Sequence, residues 1–243
     1  MLKYYNNTTK TLTIPHDFNE KLKDIPDDTK IIIFSQNYKK LEISSFNQEI
    51  KENILPNSLH TLTFGITFNQ EIKENVLPNG LYSLTFGSWF MQEIKENVLP
   101  ETLHTLTFGE EYNQEIKNNV LPNSLHTLTF GTWYNQEIKE NVLPNGIHTL
   151  SFGWCFNQEI KENVLPKSIK KINLFSHCNL INNLPLWIEE VCIQFGSDEC
   201  NKEITNLPIT LEKITIEDEK FLKYITKIPF GCKLYIINYP LNN

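Results

Sequence analysis

Four histidines share one spacing: His60, His104, His126 and His148 fall on a 22-residue step, with Tyr82 and Lys170 on the same step. Neutral imidazole is a common metal ligand, so a metal site is the first chemistry to weigh. The row lacks carboxylate or thiolate companions in register, and a row of rings flanking strands explains it better. His177, Cys178, Cys192 and Cys200 form a second candidate group, a metal-binding C-terminal part, but without the C-x-x-C knuckle of zinc sites. Carboxylates also repeat: Glu49, Glu71, Glu93, Glu115, Glu137 and Glu159 are each followed two places on by a lysine. No acid–base pair stands apart from that row, and no Walker loop, G-x-G-x-x-G, H-E-x-x-H or G-x-S-x-G occurs. These residues point away from an enzyme and call for no cofactor.

What must position them is a repeat. Six units of 22 residues begin at Phe46, Phe68, Phe90, Tyr112, Tyr134 and Phe156 and cover 46–177 of the 243 residues. A period of this size predicts a solenoid. In the second unit Tyr82-Ser83-Leu84-Thr85-Phe86 alternates polar and apolar, which predicts a short strand. Pro78-Asn79-Gly80 is turn chemistry, and Gly87 is expected to end the strand through a backbone angle open to glycine. EIKEN predicts a helical or 3₁₀ turn, too short for a helix. Shorter versions of the unit lie at Phe18–Pro26, His177–Pro185, Cys200–Pro208 and Phe221–Pro229, with His177 and Cys200 in the aromatic slot. One unit has too few apolar residues to fold alone, so coils must stack between caps. The expected architecture is a single β-rich solenoid domain over 1–243, with degenerate coils or caps at 1–45 and 178–243. Each coil of about 20–22 residues supplies one short parallel strand and a turn or short 3₁₀ segment.

The L-P-x-x-L-x-x-L-x-F pattern resembles the strand half of leucine-rich repeats. The units FNQEIKENILPNSLHTLTFG (46–65) and YNQEIKNNVLPNSLHTLTFG (112–131) resemble the FNIP repeat, a leucine-rich-repeat-like module found mainly in amoebae and the large DNA viruses that infect them. The resemblance implies binding and carries no catalytic residues. Its members often carry an F-box beside the repeats, which implies an alternative role as a substrate-recognition subunit for ubiquitin ligation. No F-box is recognisable in this sequence.

In a stacked array each repeat position becomes a column. The Leu and Phe columns are expected to fill the core, and the Asn column after the aromatic slot, broken by Met91, to bond from coil to coil. The Glu and Lys columns are expected to interleave on a solvated face. The Thr-x-Thr strand face resembles that of ice-binding solenoids, but strands favour threonine in any case. The units differ most in the two residues after Phe-Gly: Ile66-Thr67, Ser88-Trp89, Glu110-Glu111, Thr132-Trp133 and Trp154-Cys155. Tryptophan is enriched in binding hot spots, so Trp89, Glu110, Glu111, Trp133 and Trp154 are the candidate partner-binding residues. Packing of the indoles on the next coil is the competing reading.

The bulk composition agrees with an interaction role. A net charge of −7 argues against nucleic acid and anionic membrane surfaces as partners, leaving a protein, with a host protein among the candidates. Ala and Arg are absent, which disfavours long helices. The start lacks an apolar signal segment, and the five cysteines fit reduced thiols, so an intracellular, cytoplasmic setting is expected.

Overall fold

The computed structural model describes residues 1–36, 42–161, 163–196 and 201–237. Among these described residues twelve short strands follow one another in a single sheet in chain order. They are β1 (Tyr5–Asn6), β2 (Thr11–Ile14), β3 (Ile31–Phe34), β4 (Thr61–Thr63), β5 (Ser83–Thr85), β6 (Thr105–Thr107), β7 (Thr127–Thr129), β8 (Thr149–Ser151), β9 (Lys171–Phe175), β10 (Glu190–Gln194), β11 (Lys213–Ile216) and β12 (Lys233–Ile236). β1 pairs antiparallel with β2, and the other neighbours pair in parallel. In the central coils Leu62, Leu84, Leu106, Leu128 and Leu150 stand opposite one another. The result is the expected leucine-rich-repeat-like solenoid.

Among the described residues 3₁₀ turns occur only outside the six units, at Leu2–Tyr4, Asn179–Asn183 and Glu219–Tyr224. Inside the units the EIKEN segment is neither strand nor helix and closes a tight turn, in which the Val76 amide donates to the Lys73 carbonyl at 3.4 Å. Asn75 takes φ 61° there, and Asn53, Asn97, Asn119, Asn141 and Asn163 match it. A type II turn needs positive φ at its third residue, and asparagine tolerates that angle.

The core is a double ladder of rings. Phe86 stacks on Phe90 at 3.9 Å within one coil, and Phe108 on Tyr112 at 3.9 Å within the next. Between coils Phe86 lies 5.8 Å from Phe108, and Phe90 lies 6.1 Å from Tyr112. Aromatic pairs contribute beyond their buried area, and in the central coils each ring has a ring neighbour above and below.

The glycines after the strands do a different job from the one expected. Gly87, Gly109, Gly131 and Gly153 are not in the left-handed region; among the glycines only Gly231 is, at φ 81°. A Cβ on Gly109 would stand 1.8 Å from the Gly87 carbonyl oxygen, and one on Gly131 would stand 1.9 Å from the Gly109 oxygen. They are needed because the backbones of neighbouring coils approach so closely.

The asparagine column is a hydrogen-bonded ladder. Asn47 Oδ1 accepts from the Asn69 amide at 2.9 Å and from Gln70 Nε2 at 3.0 Å, and Asn69 Oδ1 serves Met91 and Gln92 in the same way. Met91 cannot pass the bond on, so Gln114 Nε2 turns to the Met91 carbonyl at 2.9 Å. Met91→Asn should therefore restore an acceptor for the Asn113 amide and Gln114. A gain of about 0.5–1.5 kcal/mol in urea unfolding is expected; a destabilised variant would contradict this account.

The charged columns interleave one coil apart. Lys73 reaches Glu49, Lys95 reaches Glu71 and Lys117 reaches Glu93, each at 2.6 Å; Lys139–Glu115 and Lys161–Glu137 follow at 2.5 and 2.9 Å. The hydrogen bond from each lysine, then its charge, holds the Glu49, Glu71, Glu93 and Glu137 carboxyls below their usual 4.5. A carboxylate depressed by folding adds stability above its unfolded pKa, which is lost as pH falls through the folded value. Thermal midpoints should thus drop below pH 4.5, and should do so less steeply when the five lysines are replaced by Gln. Equal slopes would show that the ladder does not carry the acid sensitivity.

The C-terminal coils depart from the expected alignment. The Asn179 amide donates to Asn157 Oδ1 at 3.1 Å, so the buried Cys178, rather than His177, fills the aromatic slot. That coil is shorter, and Ile160 is only partly buried, whereas Ile72, Ile94 and Ile116 are buried. A space of about 270 Å³ lined by Ile160, Leu165, Leu180 and Trp187 opens at this junction. Cys200, the other expected slot residue, lies outside the described residues.

Candidate interaction surface

The candidate residues sit in the turn that follows each strand, and the backbone there is itself a ladder. The Trp89 amide donates to the Ile66 carbonyl at 2.9 Å, Glu111 to Ser88 at 2.8 Å, Trp133 to Glu110 at 2.9 Å and Cys155 to Thr132 at 2.8 Å. The sequence varies at these positions while the main chain does not. The scaffold therefore presents different side chains at fixed steps, one coil apart.

The two columns separate. Ser88, Glu110, Thr132 and Trp154 line an open groove of about 620 Å³ that runs along the strand face past Thr63, Thr85, Thr129, Ser151 and Asn173. Trp89, Glu111 and Trp133 lie outside that lining and form a ridge. Trp89 is 51% exposed and Trp133 53%. Glu110 and Glu111 are exposed as well. Unlike Glu93 and Glu115 in the charged column, neither is in an ion pair among the described residues.

Trp154 is held differently. Its ring meets Phe175 edge-on at 5.0 Å and lies 4.4 Å from His177. A Cβ on Gly196 would come within 1.8 Å of the indole, so that glycine makes room for the ring. His177 Nε2 hydrogen-bonds the Trp154 carbonyl at 2.6 Å. Trp154 thus combines packing with a place on the groove wall. The five candidates do not converge on one spot: three share the ridge and two the groove.

The groove is the feature that single residues did not announce. Its floor is the threonine face and its wall is set by the close approach of coils at glycine. The sequence signal was the repeating Phe-Gly, but its geometry depends on the distance between coils.

The histidine row is a stack. Ring centroids step from His60 to Tyr82 at 4.8 Å, to His104 at 4.6 Å, to His126 at 4.6 Å and to His148 at 4.2 Å, with neighbouring planes within 17°. Imidazole donates its lone pair in the ring plane, so parallel stacked rings aim their nitrogens side by side rather than at a shared ion. Burial, then the neighbouring His148 and His104, pushes the His126 pKa below 6.5. Among the described residues no three His, Cys, Asp or Glu side chains come together to hold a metal ion. Burial also raises the Cys178 and Cys192 thiols, which opposes the thiolate form a metal requires.

The family model described as FNIP Repeat matches residues 46–89, 90–132 and 134–177, together more than half of the chain. A solved structure described as CroV588, a novel circular LRR protein, is 38% identical over 93% of this chain with a TM-score of 0.77. This chain spans about a third (33%) of that protein's length. No curated protein matches. Among the described residues no helix is long and apolar enough to cross a membrane.

Proposed function

The chain belongs to the FNIP-repeat family, and from that premise we propose that it is a non-enzymatic scaffold holding an intracellular protein partner on its repeat-variable surface. The supporting observation is the contrast between an invariant backbone ladder and the exposed, changing side chains it carries at Trp89, Glu110, Glu111 and Trp133. Indoles held on a rigid backbone contribute binding area with little conformational entropy to lose. Trp154 adds an anchored ring to the groove side of the same surface.

Affinity capture from amoebal lysate tests this. The Trp89→Ala/Trp133→Ala double variant should recover about tenfold less partner than the parent chain, the scale of a modest hot spot. Unchanged recovery would move the site to the end coils. Recovered ubiquitin-ligase components would favour the narrower role of substrate recognition for that pathway, and their absence would count against it.

A further inference from the structure

Resting on that reading, we propose that Trp89, Glu111 and Trp133 form an open clamp for one cationic side chain, so that the partner is a protein presenting Lys or Arg on an exposed segment. The three residues occupy one column on successive coils, and hydrogen bonds of 2.8–2.9 Å between coils fix their backbone spacing. Two steps of ~4.8 Å set the backbones of the two tryptophans about 10 Å apart, and the proposed clamp has the exposed indoles keep that spacing. A cation midway between the indoles would lie about 5 Å from each, inside the ~6 Å reach of a cation–π contact, for which tryptophan is the best ring. The coil between them carries the exposed Glu111, so a carboxylate side chain is rooted between the two indoles.

Charge supports the same occupant. The matched Glu–Lys column neutralises itself from coil to coil, whereas Glu110 and Glu111 have no ion-pair partner among the described residues. They are the only charged residues in the variable pairs, and they fall between the two exposed indoles. The chain's net charge of −7 would also speed encounter with a basic partner. An acidic partner would meet unpaired carboxylates, and a purely apolar one would leave Glu111 facing it without compensation.

The test follows the indole N–H signals of the 15N-labelled full chain by NMR, assigned through Trp89→Phe and Trp133→Phe. N-acetyl-arginine methylamide is the probe and N-acetyl-glutamine methylamide the neutral control, at matched ionic strength. The expected result is that the Trp89 and Trp133 signals move together and saturably with the arginine probe, with Trp154 and Trp187 unmoved. Glu111→Gln should weaken binding about threefold, the scale of an exposed cation–π or charge contact. No saturable shift, an equal shift with the glutamine probe, or unchanged affinity in Glu111→Gln would overturn the clamp. If the probe fails while the double Ala variant still loses its captured partner, the docking face stands and only the cationic partner is refuted.

Discussion

Replacing Gly109 by Ala should destabilise the fold by about 3–5 kcal/mol, the range of severe backbone or packing faults. The added methyl would lie 1.8 Å from the Gly87 carbonyl oxygen, and both partners are main chain, so no side chain can swing aside. Relief requires the two coils to part by about 1.5–2 Å, roughly the shortfall from ordinary contact. That displacement strains the flanking bonds from Phe86 N to Thr107 O and from Glu111 N to Ser88 O, at 2.9 and 2.8 Å. Gly231→Ala is the control: it has nothing within 4 Å, but its φ is 81°, so only backbone strain of about 1–2 kcal/mol is expected. Urea midpoints of the two variants give the comparison. A Gly109→Ala chain as stable as Gly231→Ala would refute the close-approach explanation.

Phe130→Ala should cost about 3–5 kcal/mol as well, through a cavity in the ring ladder. Phe130 lies 3.8 Å from Tyr134 and 5.7 Å from both Phe108 and Phe152, so its loss strips contacts from three rings at once. In a linear array each coil relies on its neighbours, and a fault at the centre weakens the coupling of the two halves. The urea transition should therefore broaden as well as shift. Tyr134→Phe should be close to neutral, since Phe fills the same slot in four of the six units. A sharp, unshifted transition for Phe130→Ala would mean that the ladder is not the source of cooperativity.

The strands, the Leu and Phe columns, the asparagine ladder and the interleaved charges were legible because each is a property of one unit multiplied by stacking. Leu84 between Ser83 and Thr85 already shows which way it faces. The features that escaped depend on distances between coils. Gly87 reads as a conformational breaker until the Gly65 oxygen is found 1.8 Å from where a Cβ would stand. Lys73-Glu74-Asn75 reads as the start of a helical turn because Lys and Glu favour helices, but Asn75 adopts the angle that turns the chain instead. Trp154 reads like Trp89 and Trp133, yet its surroundings come from Phe175, His177 and Gly196 in the divergent coils, where no repeat pattern guides the reader. The ridge and the groove were visible as variable letters, but their division into two faces was not.

The constant register turns the array into a ruler. Pairing steps of 22 residues mean that excising 90–111 would bring Tyr112 into the place of Phe90, with each ladder position refilled by its own kind. Met91 and the Glu110-Glu111 pair would go with the excised coil, and the array would shorten by one step: Trp133 would move one graduation nearer Trp89, by ~4.8 Å. Recombination between such units can therefore lengthen or shorten the reach between two contact residues in whole graduations, leaving the fold that carries them intact.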